Sequence, residues 1–282
     1  MPAIGFLYPD GSKVSFEDVN KGDVDIVKMG MSLPTLIEMS KERDPNRKPS
    51  TTELLNGACE SYLKRTREYY IDPQDRAFSL AGTMHHARLE QHEDDRHLLE
   101  EKLEEFDITG IADLYDKETK TLLDYKNTGS YKCAKLLGMT YKLIPDPSGA
   151  RYKASGKWGK KGSPRMIKQW YREEGLADYG DWGWQVNWYR YLLNKSGYDV
   201  DNMYIQVTLR DGGLAVARER GLDKHIYLIE IPKYDDKVLE NKFLSARDEL
   251  IKALETGNLP QQCNKEQTWD GRKCQSFCDV RH

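Results

Sequence analysis

Residues 110–126, GIADLYDKETKTLLDYK, set two aspartates and a lysine in a pattern that predicts a tight hairpin. Each arm alternates apolar and polar, so residues two apart share a face. Ile111, Asp113 and Tyr115 fall on one face of the first arm, and Leu122, Asp124 and Lys126 on one face of the second. A turn centred on Glu118 and Thr119 brings Asp113 roughly opposite Asp124. Like charges directly across a ladder repel, so the pairing calls for a positive partner.

Three further features bear on that site. His86, in GTMHH, sits on a predicted helix just ahead of the strands and can turn its imidazole toward the hairpin. Taken alone, a helical histidine is more often structural or exposed. Gln185 and Tyr189 stand four apart in QVNWY, so an amide and a phenol share one helix face and can reach a common target. Simple packing of Tyr189 would need the same spacing. The third feature is the distribution of the five cysteines: Cys59, Cys133, then Cys263, Cys274 and Cys278 crowded near the end. An odd number with a terminal cluster points to metal more than to cross-links.

The chain of 282 residues can bury a full core as one large domain with appendages, and 38% hydrophobic with 32% charged residues suits well-solvated loops. A net charge of −3 does not advertise a nucleic-acid binder, so any basic footprint must be local. No apolar run approaches the about 18 residues of a membrane span, and MPAIGFLYPDGSK lacks a signal-peptide apolar region. A cytoplasmic protein without a membrane partner is expected, and in that reducing setting disulfides are not.

The elements that must position these residues follow from periodicity and punctuation. FLYPDGSKVSF reads as a small hairpin turning at Pro-Asp-Gly. Residues 49–70 read as one helix opened by a Ser50-x-x-Glu53 capping box. A second helix covers 77–94, with Leu80, Met84 and Leu89 on one face, and a strand covers 98–106 before the two hairpin arms. WGWQVNWYRYLLNKSG is a helix ended by Gly197, MYIQVTL and HIYLIEI are strands, and residues 235–260 hold a long amphipathic helix stopped by Gly257 and Pro260. Within 151–172, eight side chains are Lys or Arg, none is Asp or Glu, and Tyr152, Trp158, Trp170 and Tyr171 are interleaved. The order implies a sheet flanked by helices, α/β (α+β) in class.

Taken in order, the motifs resemble the RecB-like branch of the PD-(D/E)XK nuclease superfamily over most of the chain. That family's signature is a cysteine-bearing helix, G-x-x-x-H, G-h-x-D, D/E-x-K, Q-x-x-x-Y and a final cysteine cluster. Here these stand as Cys59 in GACESYL, Gly82 to His86, Gly110 to Asp113, Asp124 to Lys126, Gln185 to Tyr189, and CNKEQTWDGRKCQSFC. Each motif is weak alone; their conjunction in this order is strong. The nearest likeness is to phage-type exonucleases and to the iron–sulfur exonucleases of CRISPR adaptation.

The resemblance implies a restriction-endonuclease-like core over residues 49–259, with a central mixed sheet and a basic insertion at 129–180. Residues 1–48 would form an N-terminal extension, and 260–282 a cysteine-rich tail docked on an N-terminal helix. It implies a metal-dependent DNA exonuclease acting on ends or single strands, in recombination, repair or phage DNA processing. The alternative is a catalytically silent DNA-binding or scaffold subunit of a recombination or CRISPR-adaptation complex. Mg²⁺ or Mn²⁺ would be held by Asp113, Asp124, His86 and the Tyr125 carbonyl, oxygen suiting Mg²⁺ and an imidazole suiting Mn²⁺ better. Lys126 would position water or stabilise charge on phosphate, Gln185 and Tyr189 would hold it, and Glu101 is a weaker candidate for water or a second metal. Cys59, Cys263, Cys274 and Cys278 would bind a 4Fe-4S cluster. The alternative is Zn²⁺ on the three tail cysteines with Cys59 or His282; Cys133 is left free. Tyr152, Lys157, Trp158, Lys160, Lys161, Arg165, Lys168 and Trp170 are the expected DNA contacts, by charge and stacking. A homo-oligomer or a recombination-complex partner is compatible with the family.

Overall fold

The computed structural model describes residues 3–41, 44–89, 91 and 94–280. The chain opens with the expected hairpin, β1 (Ala3–Leu7) and β2 (Lys13–Ser15). Three short helices follow: α1 (Phe16–Lys21), α2 (Ile26–Met29) and α3 (Leu33–Met39). The side chains of Ser15 and Asp25 accept backbone N–H groups at the starts of α1 and α2, satisfying donors that a helix leaves open.

The Ser50/Glu53 capping box forms as expected, each side chain accepting from the other residue's backbone N–H. The single helix expected over 49–70 does not. It divides into α4 (Thr51–Asn56) and α5 (Ala58–Thr66) at Gly57, whose φ of 100° and ψ of 146° are open essentially to glycine. Arg67 is extended, and the residues beyond it form β3 (Tyr69–Ile71), parallel to β1. Next comes α6 (Pro73–Leu89), which carries His86. Its expected apolar face is only partly used: Leu80 packs on the N-terminal core, while Met84 stays exposed.

Strands β4 (His97–Glu105), β5 (Ile108–Asp116) and β6 (Thr121–Thr128) make the predicted antiparallel meander. The segment read as a basic insertion is more ordered than its composition implied. It holds α7 (Ser130–Leu136), with Cys133 and Ala134 wholly buried, and a hairpin of β7 (Met139–Pro145) and β8 (Met166–Arg172). Helix α8 (Gly180–Lys195) crosses over to β9 (Asn202–Leu209), which runs parallel to β6. After α9 (Ala215–Glu219), β10 (Ile226–Glu230) pairs antiparallel with β9. The described elements close with α10 (Asp236–Thr256), ended by left-handed Gly257, and α11 (Arg272–Ser276).

The fold is mixed α+β. Its main sheet has the order β10-β9-β6-β5-β4, and α8 lies across β4, β5, β6 and β9 with α4 and α10 against it. Their apolar faces meet in a core that includes Ile108, Leu122, Val186, Trp188, Ile205 and Phe243. A separate sheet, β2-β1-β3, covers a smaller core of Phe6, Val19, Leu36 and Ile71. Among the described residues, no helix is long and apolar enough to cross a membrane.

The break at Gly57 yields a direct prediction. Gly57→Ala forces a side chain into that backbone conformation and lowers stability by about 1–3 kcal/mol. A reduced urea midpoint measures it; an unchanged midpoint would show that the break tolerates a Cβ.

Candidate active site

The β5–β6 register bears out the opening hairpin. Asp116 pairs with Thr121, Tyr115 with Leu122 and Leu114 with Leu123, so Asp113 and Asp124 come next on their strands. Asp113 is 7% exposed and Asp124 wholly buried. The Tyr125 N–H donates to Asp113 Oδ2 at 2.6 Å. One residue's N–H and C=O face the same antiparallel neighbour, so the Tyr125 carbonyl is aimed toward β5 as well. Lys126 Nζ lies 2.7 Å from Asp124 Oδ2 as an ion pair. Even so, neither oxygen of Asp124 has a well-aligned hydrogen-bond donor among the described residues. A buried carboxylate that relies on one lysine for its counter-charge is costly to keep out of water.

His86 enters from α6, its Nδ1 3.0 Å from Glu100 Oε1 and 3.6 Å from Asp113 Oδ1. One ligand atom each from His86, Glu100 and Asp113 lie within 4.8 Å of one another, a spacing that suits a cation. Glu101, the residue expected here, is outside this group and sits opposite Ala112. The reason is register. Leu99 pairs with Leu114 and Glu101 with Ala112, which puts Glu100 opposite Asp113, so Glu100, Asp113 and Asp124 form a row across three strands. That register is set by a two-residue turn at Phe106 and Asp107, both left-handed. Phe-Asp carries little turn signal, so the sequence offered no sure way to choose between the two glutamates.

The charges in this row act on one another. Burial, and next the charge on Asp124, push the Asp113 carboxyl up to about 7. Contact with Glu100 raises the His86 pKa against the opposing effect of burial. For Lys126, burial alone would favour the neutral amine, but Asp124 and Asp113 outweigh it and keep the ammonium.

Helix α8 supplies the other expected pair. Gln185 Nε2 donates to Tyr189 OH at 2.9 Å. Burial, then Asp124, push the Tyr189 phenol up to about 12, so it remains a neutral donor. Tyr189 comes this close because Gly110 has no side chain: a Cβ there would stand 2.7 Å from Tyr189 Cε1.

The expected DNA contacts divide. Lys157, Trp158, Lys160, Lys161 and Lys168 stand exposed on the β7–β8 hairpin and its tip. Three others serve the fold. Tyr152 lies against Gly159 and accepts from the Met166 N–H, Arg165 pairs with Asp146, and Trp170 packs on Tyr141 and the main core. A hairpin needs such internal contacts, and composition alone does not reveal them; Arg165 stays exposed while it pairs with Asp146.

Cys59 on α5 meets Cys263 from the tail. Burial, then Cys263 and more weakly Cys278, raise the Cys59 thiol, and Cys274 acts on Cys278. Lys273 reaches Glu60 at 2.6 Å and Asn56 at 3.0 Å, and Lys64 bridges Glu60 and Asp279. Cys133 stands apart, wholly buried in α7, its thiol pushed up to about 12 by burial. His282 lies outside the described residues.

No family model and no curated protein matches the chain. The crystal structure of SSO0001 is similar over 87% of this chain and 89% of that one, at 12% identity and a TM-score of 0.37, too slight a likeness to carry an argument.

The site's titration predicts how pH and cations act together. Asp113 ionises near 4 when unfolded and about 7 when folded, so the cation-free protein loses stability as pH rises through that window. The raised His86 pKa acts in the same sense, its contribution being full below about 6.5 and lost as pH passes the folded value. A divalent cation needs Asp113 ionised and His86 neutral. Mn²⁺ therefore raises the melting temperature more at pH 8 than at pH 5, and Asp113→Asn removes most of the difference. An equal shift at both pH values in the parent would contradict this.

Proposed function

We propose that the chain is a divalent-metal-dependent deoxyribonuclease of the RecB-like PD-(D/E)XK kind, hydrolysing phosphodiester bonds at DNA ends or in single strands. The observation that carries this reading is the wholly buried Asp124 carboxylate, placed beside Asp113 and ion-paired with a lysine two residues on in its own strand. The residues present fit a cation. His86, Glu100 and Asp113 bring their ligand atoms within 4.8 Å of one another, Asp124 and the Tyr125 carbonyl would complete the set, and the donors are hard oxygens plus one imidazole. When bound, such a cation supplies a water of lowered pKa and polarises the scissile phosphate.

The chain's own groups have definite tasks. Lys126, kept protonated by its two aspartates, stabilises charge developing on a phosphate oxygen. Asp124 holds that ammonium in place, while Tyr189 and Gln185 wall the same pocket and offer neutral donors. The meander β4–β5–β6, followed by the α8 crossover to parallel β9, supports a restriction-endonuclease-like core. The approach of Cys59 to Cys263, with Cys278 acting on Cys59 and Cys274 on Cys278, supports a metal centre joining the tail to α5. A 4Fe-4S cluster is preferred and Zn²⁺ is the alternative, because four thiolates suit either.

Two measurements test this. Linear single- and double-stranded DNA, with circular single strands as control, is incubated with Mg²⁺, Mn²⁺ or EDTA. Degradation of linear DNA is expected only with the cation, and Asp113→Asn, Asp124→Asn and Lys126→Ala each lower it by about a hundredfold or more. Folded variants as active as the parent would remove the assignment, and DNA binding without any cleavage would favour the scaffold reading. Separately, protein purified without oxygen should contain iron and acid-labile sulfide, lost in Cys59→Ser and kept in Cys133→Ser; zinc without sulfide selects the alternative.

A further inference from the structure

The α8 face that carries Gln185 and Tyr189 carries a third residue, Trp182, three positions before Gln185. Its half-buried indole has two ammonium groups beside it, Lys126 Nζ 5.9 Å from the ring centroid and Lys132 Nζ 5.0 Å from it. Lys126 has Asp124 as counter-charge. Lys132, on α7, has none: it is half-buried, and its ammonium makes no hydrogen bond or ion pair among the described residues. Asp178, Asp181 and Lys135 act on it only from farther away, and Asp178 is engaged by Lys135 at 3.4 Å. Burial accordingly lowers the Lys132 pKa. A cation partly stripped of water whose counter-charges stand only at a distance is costly, and an arriving anion offsets that cost.

We propose that Lys132 binds the substrate phosphate next to the scissile one, and that Trp182 is the positioning residue holding Lys132 and Lys126 on either side of that step. The inference rests on the nuclease reading and adds to it a subsite for a polynucleotide backbone. The neighbouring surface continues in the same chemistry. Tyr131, 53% exposed, has Arg220 at 5.6 Å and Lys135 at 5.9 Å from its ring, and Arg220 also reaches Trp170 at 5.9 Å. Arg220 and Lys135 are also paired with Asp211 at 3.8 Å and Asp178 at 3.4 Å, so among the described residues Lys132 is the cation of this stretch left for a phosphate, while the aromatics offer flat partners for bases of a single strand. The track runs from the catalytic lysine to the base of the β7–β8 hairpin.

Binding of a fluorescein-labelled single-stranded oligonucleotide, followed by anisotropy in EDTA across a salt series, tests this without cleavage. Lys132→Ala should weaken binding about tenfold and reduce the slope of log K against log salt by about one, while Lys132→Arg keeps both near the parent. Trp182→Ala should weaken binding too, and Trp182→Ala combined with Lys132→Ala should be no worse than Lys132→Ala alone, because they disturb one contact. Trp182→Phe should recover part of the loss, which general damage to α8 would not allow. If the parent binds and cleaves DNA and Lys132→Ala keeps the parent's slope, the subsite is refuted and the nuclease reading stands. A parent that neither binds nor cleaves removes both.

Discussion

Three carboxylates stand side by side across β4, β5 and β6, and the structure around them is organised by their mutual repulsion. Glu100, Asp113 and Asp124 occupy successive strands at matching register, with Asp124 wholly out of water. The Tyr125 N–H, His86 and Lys126 answer part of that charge from three directions. The ladders show the same stress. Strand β6 is paired with β9 along its whole length, Thr121 to Thr128, but with β5 only from Asp116 to Leu114. Pairing with β5 stops where the aspartates begin, and a side-chain oxygen of Asp113 takes the Tyr125 N–H in place of a backbone carbonyl. Firm anchoring on one side lets the other side open, and that opening is the site.

Helix α8 makes this opening one-sided. Its inward residues, Val186, Trp188 and Leu192, are wholly or almost wholly buried and fix it across the sheet. The row Trp182, Gln185 and Tyr189 then stands beside Asp124 and Lys126, with Tyr189 closing against β5 at Gly110, where no side chain intervenes. The imidazole comes instead from α6, which buries little beyond Pro73 and meets the sheet near β6. One partner of the aspartates is therefore held by a packed helix and the other by a lightly packed one.

Much of this was legible in the residues. The alternation in GIADLYDKETKTLLDYK set the β5–β6 register correctly, because a short turn between two patterned arms leaves few choices. The Gln185/Tyr189 spacing and the Ser50/Glu53 box were also read correctly, since each depends only on local helix geometry. What failed depended on information that is not local. Glu100 was missed in favour of Glu101 because a turn of left-handed Phe106 and Asp107 decides which one faces Asp113. The break at Gly57 was hidden by helical periodicity on both sides of it. Composition also could not show that Arg165 pairs with Asp146 and that Trp170 packs on Tyr141, since both partners are brought there by the β7–β8 hairpin.

The tail's attachment to α4 and α5 has a consequence for the order of assembly. Lys273 meets Asn56 across 217 residues of chain, and Cys59 meets Cys263 across nearly as many. During synthesis the sheet strands and both cores emerge before any of these partners exist, and N-terminal parts fold first. Glu60, 5% exposed, then has Lys64 as a partner but not yet Lys273. Docking of residues 263–278 on α5 is thus a late event: the later thiols reach Cys59 only after both cores have been synthesised, and a chain truncated before Cys263 leaves Cys59 alone at the start of a helix.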